Sequence, residues 1–185
     1  MSALILDGKS LAAKTEAELS QRVAALKAAN NGQAPILATI LVGGDPASAT
    51  YVKMKQNACK RVGMESIAVE MADDTSTEQL LAKIEELNNN DDIDGFIVQL
   101  PLPKHIDEQK VLMAVNPDKD VDGFHPINIG RMAKGLPAYI SATPQGVLDL
   151  LAYYKIETAG KHCVVVGRSQ IVGLPMSILM QRNHP

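Results

Sequence analysis

The sequence predicts an α/β fold whose amino-terminal part is a three-layer domain around a parallel sheet, and three observations carry that expectation. Short apolar runs at 35–42, 65–70 and 95–100 alternate with helical stretches, the order of successive βαβ units. Turn-forming clusters separate them, at Asn30-Asn31-Gly32, Gly43-Gly44-Asp45-Pro46, Gly63 and Asn88-Asn89-Asn90-Asp91. The 185 residues are 46% hydrophobic and 21% charged, enough to bury an ordinary core.

The elements follow in order. Residues 9–29 read as an amphipathic helix with the stripe Leu11, Ala12, Thr15, Leu19, Val23 and Leu26. The buried strand at 35–42 is broken by Gly43-Gly44-Asp45-Pro46, where Pro46 suits the first turn of a helix and Asp45 or Ser48 can cap it. Gly63 ends that helix, and a second strand covers 65–70. Ser76-Thr77-Glu78-Gln79 opens the next helix, with Leu80, Leu81, Ile84 and Leu87 on one side. The third strand, 95–100, runs into Gln99-Leu100-Pro101-Leu102-Pro103, whose prolines stiffen the exit because they cannot continue a ladder. A short helix at 107–115 precedes an acidic loop. From 141 onward the pattern changes. A helix runs through Val147, Leu148, Leu150 and Leu151 with Thr143 as its cap and Pro144 in the first turn, then a buried strand at 162–166, a glycine turn, and a helix from about 172 to 180.

In a parallel sheet ligands gather at the carboxyl ends of the strands, so the residues just after 42 and 98 are where chemistry is expected. Tyr51 and Lys55 stand at i and i+4 on the helix after the first strand, with Cβ atoms roughly 5–6 Å apart. A phenol beside an ammonium can exchange protons with a substrate, although the same spacing also occurs on solvated helix surfaces. Gln99 closes the third strand with an amide that can orient Lys55. Asp118, Asp120 and Asp122 lie in a loop between Pro117 and Gly123, and a carboxylate held there can accept paired N–H donors from an amino-pyrimidine edge. The D-x-D-x-D spacing lacks the glycine and distal glutamate of a calcium loop, so no metal is expected. The turn Gly167-Arg168-Ser169-Gln170-Ile171-Val172-Gly173 is not a true G-x-G-x-x-G. Even so, its strand–turn–helix setting offers backbone N–H groups to a phosphate, and Arg168 adds a local positive charge.

Several classes are disfavoured. A net charge of −3 gives no bulk attraction to nucleic acid or to a membrane surface, and no apolar run has the length of a membrane helix. The start of the chain carries no export signal. Cys59 and Cys163 lack metal-ligand spacing and read as reduced core residues of a cytoplasmic protein. His105, His125, His162 and His184 fall on different elements and receive no role.

Four stretches in this order, 43–55, 98–103, 117–123 and 166–176, resemble the bifunctional methylenetetrahydrofolate dehydrogenase/methenyltetrahydrofolate cyclohydrolase family over nearly the whole chain. The resemblance implies oxidation of 5,10-methylene-tetrahydrofolate with NADP, NAD being the less expected cofactor, and hydrolysis of the methenyl product to 10-formyl-tetrahydrofolate in one-carbon metabolism and purine biosynthesis. It implies that Lys55 is the central catalytic group, that Tyr51 stacks on and positions the folate, that Gln99 supports Lys55, and that Asp122 binds the pterin. Leu100 and Pro101 complete the substrate contacts. Gly167, Arg168, Ser169 and Ile171 become contacts of the cofactor. A homodimer is implied as well. Where the family commonly has Pro-Cys before Thr-Pro, this chain has Ser141-Ala142. The domains are then expected at 1–140, binding folate, and 141–185, beginning a Rossmann-type NAD(P)-binding domain. One strand and one helix fall short of the βαβαβ half that such a domain needs, so a fragment that binds nicotinamide cofactor poorly on its own is expected. The residues alone leave open a non-catalytic α/β module that holds a folate or nucleotide.

Overall fold

The computed structural model describes residues 3–182. They divide into two compact units, Glu16–Val121 and a second made of Met1–Thr15 with Asp122–Pro185. The first contains a parallel sheet of β1 (Ile36–Val42), β2 (Glu65–Met71) and β3 (Gly95–Val98), in the order β2-β1-β3. Central position explains the composition of β1, whose last five residues are all buried. α1 (Gly8–Ala29) precedes the sheet, and of its apolar stripe only Val23 is fully buried. Ala12, Thr15 and Leu26 stay exposed.

Alternation along β1 sends its side chains to two layers. Ala38, Ile40 and Val42 join Phe96 and Val98 with Leu80, Ile84 and Leu87 of α3 (Thr77–Asn88) and Val111 of α4 (Glu108–Ala114). α2 (Pro46–Val62) packs against β1 and β2 and buries Val52, Cys59 and Val62 outside that cluster, so it covers the other face. The three-layer expectation for this domain is met. Local signals set the helix ends: Asp45 Oδ2 accepts from Ser48 N–H at 2.7 Å, Pro46 is the first helical residue, and Gly63 at φ +86° closes α2. α3 begins with a reciprocal capping box between Ser76 and Gln79.

The acidic loop is built in at Asp120, while Asp118 stays exposed and Asp122 is half-buried. Phe96 N–H donates to Lys119 O at 2.9 Å and Phe96 bridges Asp120 in parallel, which covers the outer edge of β3. Asn88 grips the same segment, donating from Nδ2 to Ala114 O and accepting from Asn116 N–H. The Lys119 ammonium donates to Leu87 O at 3.0 Å and to Asn90 O at 2.7 Å, a cation at the carboxyl end of α3. Asp120 is accordingly buried.

The helices of the second unit are the first turns of α1, up to Thr15, with α5 (Pro126–Ala133), α6 (Ala142–Tyr153) and α7 (Gly173–Gln181). α5 has no counterpart in the sequence reading; His125 is its cap, accepting Ile127 N–H on Nδ1 at 3.1 Å. Tyr154, just past α6, accepts from Asp7 N–H on its hydroxyl at 2.9 Å, and Lys14 lies over the Tyr153 ring. Gly123, at φ +70°, leaves room that a Cβ would take 2.7 Å from Tyr139 O.

Two expectations fail here. Thr143 does not cap α6, because the helix already begins at Ala142 and Thr143 lies inside its first turn; Ser141 precedes it without a side-chain cap bond. The stretch 162–166 forms no strand. Among the described residues nothing supplies it with a ladder, so it has no regular structure, with Val164 70% and Val166 97% exposed, and Cys163 is exposed instead of buried.

Candidate active site

The buried residues of α2, Ser48, Val52, Cys59 and Val62, recur at helical spacing on one stripe, and Lys55 falls on that stripe, half-buried. Its stem therefore runs along the helix toward the sheet while its ammonium reaches the rim. There Nζ donates to Gln99 Oε1 at 3.0 Å. The strand itself stops at Val98, two residues before the expected end, yet Gln99 N–H still donates to Ile40 O at 2.9 Å and extends the β1–β3 ladder by one bond. Gln99 Nε2 donates to Leu100 O at 2.7 Å. That second bond fixes which end of the amide faces Lys55: the nitrogen is committed, so the oxygen meets the ammonium. Two of the three ammonium hydrogens stay available for other acceptors.

Tyr51, one turn earlier, is 59% exposed, its ring beside Lys55 on the helix surface. Leu100 is half-buried and Pro101 exposed in the exit loop, joined by a cis peptide bond. Gly43 ends β1 at φ +81°, and the Asp73 carboxylate sits 2.5 Å from where its Cβ would stand. Asp73 has no signal in the sequence pattern; only the space left by Gly43 reveals it. The Asp45 carboxyl is held below the ordinary carboxylate range by the hydrogen bond from Ser48 N–H. Asp122 is half-buried and opens the second unit, two residues beyond the bridged Asp120.

A cavity of about 470 Å³ opens at the opposite, amino-terminal end of the strands, lined by Gln33, Ile36, Glu65 and Asp94 among others. Asp94 there is already engaged, accepting Ile36 N–H at 2.8 Å. Burial pushes the Cys59 thiol up from its usual range, which makes it a packing residue rather than a nucleophile. The histidines do not converge: His105 contacts Thr75 O, His125 caps α5, His162 is exposed, and His184 lies outside the described residues. Among the described residues no group of three or more His, Cys, Asp or Glu could hold a metal ion.

The second unit contains the glycine turn. Gly167 adopts φ +146°, a backbone region for glycine, with open space where a Cβ would be. Arg168 is exposed beside it. Ser169 Oγ accepts from the N–H groups of Val172 at 3.1 Å and Gly173 at 3.2 Å, so a hydroxyl takes two donors at the start of α7 that the sequence reading offered to a phosphate. Ile171 is half-buried. Gly173 is required by close approach, its Cβ position lying 2.4 Å from Gly167 O. An open glycine turn flanked by an exposed guanidinium fits an anionic, phosphate-bearing cofactor.

Comparison with known proteins places these features in a family. Residues 6–122 match the catalytic domain of tetrahydrofolate dehydrogenase/cyclohydrolase, and residues 141–185 match its NAD(P)-binding domain. The chain is 63% identical over 180 residues to the bifunctional protein FolD of Cellvibrio japonicus, covering 97% of this chain and 64% of that protein. The Campylobacter jejuni bifunctional enzyme FolD superposes with a TM-score of 0.93 at 43% identity, over 97% of this chain and 63% of the other. A Trypanosoma brucei methylenetetrahydrofolate dehydrogenase-cyclohydrolase, solved with NADP and an inhibitor, gives 0.93 at 34% identity, over 97% and 62%. The chain thus spans just under two thirds of the length of these relatives, and over that span it belongs to the tetrahydrofolate dehydrogenase/cyclohydrolase family.

Proposed function

We propose that this chain carries the folate-processing residues of an enzyme that oxidises 5,10-methylene-tetrahydrofolate to the 5,10-methenyl form with NADP and hydrolyses that product to 10-formyl-tetrahydrofolate. The observation that carries the reading is the 3.0 Å bond from Lys55 Nζ to Gln99 Oε1, made at the carboxyl rim of a parallel sheet. Residues 1–140 form the folate domain and 141–185 begin the NAD(P)-binding domain, a division supported by the two family matches.

Hydrolysis adds the oxygen of water to the methenyl carbon. As the bond from that carbon to one folate nitrogen breaks, the nitrogen takes up one proton of the water and the other is released. Lys55 stands where both protons pass, its orientation set by Gln99 and its remaining N–H groups aimed at substrate. Tyr51 supplies the ring face on which the folate stacks, Leu100 and Pro101 shape the wall, and the Asp122 carboxylate accepts N–H donors of the pterin. Gly167, Arg168, Ser169 and Ile171 hold NADP, the Arg168 guanidinium suiting a 2′-phosphate. When bound, NADP supplies the acceptor for the hydride.

The assembly is read as a cytoplasmic homodimer. Two free thiols suit a reducing compartment. Among the described residues no helix is long and apolar enough to cross a membrane. The test begins with hydrolysis of added methenyl-folate, followed as loss of its absorbance band, a step that needs no NADP; no hydrolysis leaves a non-catalytic binding module. Lys55→Met is then expected to abolish hydrolysis of added methenyl-folate while folate binding survives, and retained hydrolysis removes Lys55 from the mechanism.

A further inference from the structure

Gln99 can orient Lys55 only if the loop that follows it keeps its course, and that loop has few polar anchors. Pro101 and Pro103 fix two φ angles but remove two N–H groups. Gln99 N–H binds Ile40 O at the loop's entrance, and Asp107 N–H binds Thr77 Oγ1 at 3.0 Å at its exit. Ile106 N–H turns back on Pro103 O within the loop. Leu102 and Ile106 pack onto the core and fix the loop's depth, but apolar contacts are non-directional and leave its rotation open. Between Gln99 and Asp107, among the described residues, one hydrogen bond leaves the loop for another element. It joins His105 Nε2 to Thr75 O at 2.9 Å. A carbonyl only accepts, so Nε2 carries the proton and donates. Thr75 is itself a firm anchor: it is 6% exposed, and both its N–H and its Oγ1–H donate to Ala72 O, at 3.1 and 2.6 Å.

We propose that His105 is a positioning residue, whose bond to Thr75 O ties the loop after β3 to the loop after β2 and so holds Gln99 in register to receive Lys55. The tie joins two rim loops whose strands are not neighbours, since β1 lies between them. Its catalytic consequence rests on the function proposed above; its geometric consequence does not.

The experiment uses the full chain, ¹⁵N-labelled, as wild type, His105→Ala and His105→Gln. The glutamine side chain keeps an N–H donor at similar reach. In His105→Ala the Gln99 side-chain amide resonance is expected to move and its hydrogens to exchange faster, and in His105→Gln both are expected to return toward wild type. The hydrolysis rate should follow, with kcat about three- to tenfold lower in His105→Ala, the range of one lost hydrogen bond, and KM for methenyl-folate nearly unchanged. A Gln99 resonance unmoved in His105→Ala overturns the proposal, whatever the rate does. A wild-type chain that fails to hydrolyse methenyl-folate overturns the function instead, while the Gln99 resonance still decides the role of His105.

Discussion

Lys55 shows how a single side chain acquires a place. The i, i+4 pairing with Tyr51 is visible in the sequence, whereas the buried stripe Ser48, Val52, Cys59, Val62 to which Lys55 belongs emerges from the structure. The partner at residue 99 was legible too, as a polar amide at the end of an apolar strand before two prolines. His105 and Asp73 were not legible, because a hydrogen bond to a backbone carbonyl and a carboxylate filling a glycine's empty space leave no periodic trace. Glycines divide in the same way. Gly173 was read as part of a phosphate turn, whereas its necessity comes from the Gly167 carbonyl 2.4 Å from its Cβ position. Gly173→Ala is therefore expected to destabilise the chain by about 1–3 kcal/mol through overlap with rigid backbone, measured as a lowered thermal midpoint. An unchanged midpoint would mean that α7 shifts away freely.

Elements were read best where the ends carried their own chemistry. Asp45 with Pro46 started α2, Gly63 ended it, and Ser76 with Gln79 opened α3 as the capping rules require. The start of α6 is obscured because Thr143 lies before Pro144 and mimics a cap, while the chain turns helical two residues sooner, with Ser141 at the cap position. α5 went unread since its cap is an imidazole, not one of the usual short side chains. The Asp45 cap gives a pH prediction. Its folded-state pKa lies below the unfolded value of about 3.9, so its stabilisation is complete above that pH and drains away as pH falls through the folded pKa. Asp45→Asn keeps an oxygen for Ser48 N–H but has no proton to gain. Denaturant midpoints followed from about pH 6 down to about pH 3 should fall less steeply in Asp45→Asn than in wild type. Parallel curves would show that Asp45 does not contribute to the acid limb.

For the whole molecule, the two cysteines report which parts are closed. Cys59 is 6% exposed with its thiol pushed up by burial, while Cys163 lies open on the irregular 162–166 stretch. Native protein should react with one equivalent of a thiol reagent at once, and with the second only as it unfolds. Prompt reaction of both would contradict the buried α2 interface. Alternating apolar runs, turn residues and caps are enough by themselves to determine the α/β class, a parallel sheet in three layers, and Tyr51, Lys55 and Gln99 as the residues to watch, because periodicity and local hydrogen bonding are properties of neighbours in sequence. The tertiary structure alone decided that 162–166 lacks a ladder, that Asp120 is built into the edge of β3, and that His105 reaches Thr75. A strand, a buried carboxylate and a long-range tie each exist only when a distant segment supplies the other half of the bond.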